Sequence, residues 1–166
     1  MSTVSNTERE PTHEEAPEPP SLAGLYELDY TRWLFENAAL LRAGRLEGLD
    51  TENIAEELED MGRSESRTVR SHCRVLITHL LKWEYQASQR STGWRGSIYN
   101  ARRSIERRLR ESPSLRRRLP EFVADVYPDA VFNAANETGL PESTFPATCP
   151  YTVDQVLRPD FWPGPA

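Results

Sequence analysis

Glu65, His72 and His79 stand seven residues apart in "EELEDMGRSESRTVRSHCRVLITHLLKW", residues 56–83, and Leu58 and Gln86 continue the line on either side. Carboxylate and imidazole are the groups of metal ligation and of acid/base catalysis near neutral pH. Seven residues of an ideal helix fall about 20° short of two full turns, so the line runs down one side. The same spacing separates neighbours by about 10.5 Å along the axis, too far to share one ion. A centre built on Glu65 and His79 therefore needs ligands from other helices, for which Glu36 and Glu106 are the candidates. Such a centre would belong to a metal-assisted hydrolase or oxidoreductase using a divalent ion. The plainer reading is a set of polar residues held by partners within a helical core. Known spacings favour the plainer reading: the predicted helices contain no Glu-x-x-His pair, and the chain has no HExxH or zinc-finger pattern.

Other residue groups suggest surfaces more readily than catalysis. Glu56, Glu57, Glu59 and Asp60 form an acidic comb, with Glu56 sharing a face with both Glu59 and Asp60. Without opposing ligands the comb makes a poor cation site, and its charge is relieved by lying near a helix start. The comb reads first as a solvated face or one paired with arginine, and Glu56 and Glu57 are also candidates for docking a partner. Residues 94–119 carry nine arginines against Glu106 and Glu111, among them Arg102, Arg103, Arg107, Arg108, Arg110, Arg116, Arg117 and Arg118. Nucleic-acid binding through them would depend on salt. The two interrupting glutamates and the overall charge of -6 favour protein pairing instead, with Arg102, Arg107 and Arg108 as interaction residues. Trp83 and Trp94 join that set, since indoles bury large areas between helices. Cys73 follows His72 in sequence, but adjacent helical side chains diverge by about 100°. There is no GxSxG elbow, GxxxxGK[ST] loop or GxGxxG turn, and no cofactor is expected.

The elements that position these groups are helical. Tyr30, Trp33, Leu34, Ala38 and Leu41 predict a first helix over Glu27–Ala43, stopped by Gly44. Asp50 or Thr51 caps a second, running toward Gln86 with Ile54, Leu58, Met61, Glu65, Val69, His72, Leu76, Leu80 and Trp83 inward. Gly62 is a point where it could break. A third helix is expected over Trp94–Glu111, with Trp94, Ile98, Ala101, Ile105 and Leu109 on one side. A fourth begins near Ser114 and carries Leu115, Leu119, Phe122, Val126, Ala130 and Ala134, with Pro128 expected to kink it. "NETGLP" ends it. The closing segment, with Phe145, Tyr151, Phe161 and Trp162 and one helical turn near Thr152–Leu157, should strap over the helices. The predicted fold is all-α: an antiparallel four-helix bundle with a long second helix and an irregular C-terminal strap.

Composition bounds the rest. The chain has 166 residues and 13 prolines, most of them near its ends. Residues 1–24 read as an acidic, proline-rich disordered tail and 25–163 as one helical domain. His13 falls in that tail. Two isolated cysteines, no signal-like leader and no long apolar run predict a cytoplasmic protein. A long second helix gives a reason to expect a homodimer.

The order of "YELDYTRWLFENAALLRAGRLEGLDTENIAEELEDMGRSE", "VLITHLLKWEYQ", "STGWRGSIYNARRSI", "SPSLRRRL", "AANETGLPESTFPATCPYT" and "VLRPDFWP" resembles the DUF29 family of small bacterial proteins over about residues 25–163. The family pattern is matched by Glu56, Glu57, Gly62, Glu65, His79, Trp83, Trp94, Arg102 and Trp162, whereas His72 stands where relatives often carry arginine. The resemblance implies a compact helical, self-associating protein and no assigned reaction. The expectation is a noncatalytic interaction or scaffold protein, with self-association or an unidentified protein as partner and no membrane. The metal-assisted enzyme and the arginine-mediated nucleic-acid binder are its alternatives.

Overall fold

The computed structural model describes residues 21–164, so residues 1–20, including His13, lie outside the described residues. Among the described residues the protein is all-α, with six helices and no strand. None of these helices is long and apolar enough to cross a membrane. The described residues fall into two compact units, divided between Glu57 and Leu58.

In the first unit, α1 (Leu22–Leu28) and α2 (Tyr30–Arg42) replace the single helix expected over 27–43, and α1 begins inside the stretch expected as tail. Asp29 makes the division. Its backbone leaves the helical region at φ -153°, and its carboxylate accepts from the Arg32 backbone N–H at 3.0 Å, capping α2. A short side-chain acceptor thus competes with helix continuation. Gly44, at φ +68°, takes the left-handed conformation that ends α2 cheaply. The described core here is small: Leu25 and Trp33 are its buried hydrophobic residues, joined by Asn37. Asn37 Nδ2 donates to the Trp33 carbonyl at 2.9 Å, and its Oδ1 accepts from the Asp50 N–H at 3.1 Å. The Trp33 indole N–H in turn donates to Asp50 Oδ2 at 2.8 Å.

α3 spans Thr51–Tyr85 and passes Gly62 without a break. A methyl group at Gly62 would meet nothing within 4 Å, so the glycine costs backbone entropy without interrupting the helix. From Val69 onward the expected inward stripe is buried at Val69, Leu76 and Leu80 and half-buried at His72 and Trp83, and Cys73, Ile77 and Leu81, outside that stripe, are buried beside it. Before that point it is not: Leu58 and Met61 are 63% and 65% exposed.

The second unit's core unites this part of α3 with α4 (Thr92–Glu111) and α5 (Leu119–Thr138). Ile98, Ala101, Ile105 and Leu109 line α4 as expected, and Ser91 caps it by accepting from the Trp94 N–H at 3.2 Å. Pro113–Arg118 is a 3-10 segment rather than the start of the fourth helix, but it still buries Leu115. Pro120 occupies the first turn of α5, where no N–H is needed. Pro128 lies inside α5, which continues to Thr138. Pro128 and Ala124, whose carbonyl loses its donor, are both exposed, so water can serve that acceptor. Gly139, at φ +74°, closes the helix.

The C-terminal segment does strap over the second unit. Phe145, Tyr151 and Val156 are buried, and α6 (Val153–Leu157) holds a short turn in place. Thr152 and Gln155 cap it reciprocally: each side chain accepts from the other's backbone N–H, at 3.2 and 2.9 Å.

Candidate functional site

The polar line on α3 resolves into separate surroundings. Glu65 accepts from Arg108 Nη1 through both carboxylate oxygens, each at 3.2 Å, and Arg108 also reaches Glu111 at 3.5 Å. His72 is half-buried beside the same arginines; burial first, then the charges of Arg108 and Arg107, lower its pKa. His79 is bonded through Nδ1 to the Val75 carbonyl at 2.9 Å, one turn back on its own helix. Burial is also the main cause of its lowered pKa, opposed by that bond and reinforced by Lys82. About 21 Å of helix rise separates Glu65 from His79. In the first unit Glu36 pairs with Arg32 at 2.6 Å, whereas Glu106 lies in a groove on α4. Among the described residues, no group of three or more His, Cys, Asp or Glu side chains is placed to hold an ion.

The interaction candidates divide between architecture and surface. Arg102 is only 4% exposed, and its guanidinium donates to the strap carbonyls of Val156, Pro159 and Phe161 at 2.8, 3.2 and 2.7 Å. Burial lowers its pKa, with Asp160 and Glu106 acting in the opposite direction. Trp162 packs between this guanidinium, 5.5 Å from its ring, and Trp83, at 4.7 Å. Trp94 lies over Lys82, whose ammonium is 4.4 Å from the ring centre and pairs with Glu137. Arg102, Trp83 and Trp162 therefore fasten the strap, and Trp94 covers a buried lysine. Glu57 accepts from the Tyr26 and Tyr30 hydroxyls at 2.7 and 2.9 Å, and the first bond raises the Tyr26 pKa to about 12. Glu56 and Arg107 remain exposed.

Several arrangements had little sequence signal. Lys82 looks like a charge at the end of an apolar run; its partner Glu137 is 55 positions away. The Trp33–Asn37–Asp50 network also has no motif. Burial works against the Asp50 charge, but bonds from Asn53 and Trp33 outweigh it and hold the carboxyl below its ordinary range. Tyr99, Arg103 and Arg110 line the α4 groove together with Arg107 and Glu106. Their helical spacing, which puts positions 99, 103, 107 and 110 on one face, is the signal in the sequence that groups them.

Charge separates the units as well. Residues 1–57 hold thirteen acidic and four basic residues, net -9, and residues 58–166 hold thirteen acidic and sixteen basic, net +3.

These features define an all-α protein whose second unit is closed by an arginine-pinned aromatic strap, with its polar line taken up largely by internal bonds. The chain belongs to the family described as "Domain of unknown function DUF29", whose model matches residues 25–162. Neither a curated protein nor a solved structure matches it.

Proposed function

We propose that the chain is a noncatalytic helical interaction protein that pairs with a second copy of itself through the first unit. One observation carries this reading. Leu34, Phe35 and Leu41 of α2 are 43%, 70% and 50% exposed, and Leu28 and Leu46 beside it are 76% and 64% exposed. Among the described residues these apolar side chains are left uncovered. The described first unit buries few apolar side chains, and a core this small ordinarily needs oligomerisation or another external staple. A twofold pairing would place the same face on both copies.

The antiparallel four-helix bundle belongs to this proposal, supported by the short connections 43–50, 86–91 and 112–118. So does a single domain over 25–163, supported by the family match across both units. A cytoplasmic setting is supported by two free cysteines, of which Cys73 is buried with its pKa raised to about 12.

The test is solution mass as a function of concentration. The wild type is expected to reach a dimer in the micromolar range. Phe35→Glu should weaken association roughly tenfold or more without unfolding the chain. A wild type that stays monomeric at high micromolar concentration would contradict the proposal.

A further inference from the structure

Nine arginines between 94 and 119 form less of a uniform patch than their number implies. Arg102 is occupied by strap carbonyls, Arg108 by Glu65 and Glu111, and Arg118 by Glu121. Among the described residues, Arg103, Arg107 and Arg110 lie within 4 Å of no carboxylate. They share a face of α4 with Tyr99: positions 99, 103, 107 and 110 fall within about 80° of one another around an ideal helix and span about 16 Å. With Trp162 at its edge, this face lines a groove of about 710 Å³.

We propose that this groove binds single-stranded polynucleotide, with Arg103, Arg107 and Arg110 contacting phosphates and the Tyr99 ring stacking on a base. The combination of side chains selects this class of ligand. Guanidinium forks match phosphate oxygens, and a flat aromatic face accepts any base. Tyr99 is 56% exposed, and Arg103 Nη1 donates to its hydroxyl at 3.1 Å with the guanidinium 5.7 Å from the ring centre, so a π surface and a cation stand side by side. An acidic peptide would satisfy the arginines but leave that ring without a stacking partner. Glu106 is the carboxylate in the groove; it lies one turn from both Arg102 and Arg103 and offsets part of their charge. Its removal should strengthen binding.

The experiment is fluorescence anisotropy of labelled oligothymidylate and oligouridylate with the full chain at low salt, repeated between about 50 and 200 mM. Saturable binding that weakens with salt is expected. Tyr99→Ala should cost roughly tenfold in affinity, from the loss of one stacked base. The pair Arg107→Ala, Arg110→Ala should weaken binding and reduce the salt slope. Arg116→Ala, Arg117→Ala removes the same charge outside the groove lining and should leave most of the affinity, whereas Glu106→Gln should tighten it. Absence of binding at low salt would overturn the proposal. Equal losses from the two arginine pairs would overturn it by showing that the charge acts without the groove. Insensitivity to Tyr99→Ala, with polyglutamate competing as well as the oligonucleotide, would assign the groove to acidic peptides instead.

Discussion

The two units solve the problem of burial differently. The second surrounds a continuous core from Val69 to Val156 and fastens its closing segment with a buried arginine. Among its described residues the first buries little more than Leu25 and Trp33 and leaves the flank of α2 exposed, and it carries the net negative charge. Amphipathic periodicity is present in both, but only the second completes its interior. A helical stripe therefore signals that a face needs cover, while the source of that cover depends on contacts distant in sequence or on another chain.

The largest effect should come from a cavity in the complete core. Phe122 is fully buried, and Phe122→Ala should destabilise the second unit by about 3–5 kcal/mol. Urea unfolding measures it; a loss below about 1 kcal/mol would mean that this core is no better filled than the first unit's. Arg102→Met comes next. It removes three charge-assisted bonds and leaves the strap carbonyls without their donor, at a cost of about 2–3 kcal/mol. Faster proteolysis within residues 156–163 should accompany it, and an unaltered strap would remove Arg102 as its fastener.

A smaller effect concerns acid. Both His72 and His79 have folded-state pKa values below their ordinary 6.5. The unfolded chain therefore binds protons first as pH falls through about 6.5. The stability they contribute is present above that pH and declines below it, until the folded imidazoles also protonate. Urea midpoints measured downward from neutral pH should fall in this window, and the combined His72→Gln, His79→Gln change should flatten the decline. A slope unchanged by the double substitution would assign it to carboxylates.

Much of the second unit was legible in the sequence. Ile98, Ala101, Ile105 and Leu109 are buried as their spacing predicts, and Gly139 ends α5 where "NETGLP" places a stop. The first unit was less legible. Asp29 sits within a periodic run, yet its carboxylate diverts the backbone and divides the helix. Leu34, Leu41, Leu58 and Met61 fit an inward stripe but are exposed, because periodicity identifies an apolar face without identifying its partner. The polar line was visible at once. Its surroundings were not, since Glu65 meets Arg108 across 43 positions and His79 bonds to its own helix. The resemblance anticipated the family, which supplies no reaction for either unit.

Hydrogen exchange across a range of protein concentrations tests most directly whether the first unit obtains its cover from a second copy. Protection in residues 22–57 is expected to rise with concentration, while protection in the buried helices between 69 and 135 stays unchanged. High protection in both regions at every concentration, from a chain that remains monomeric, would contradict it.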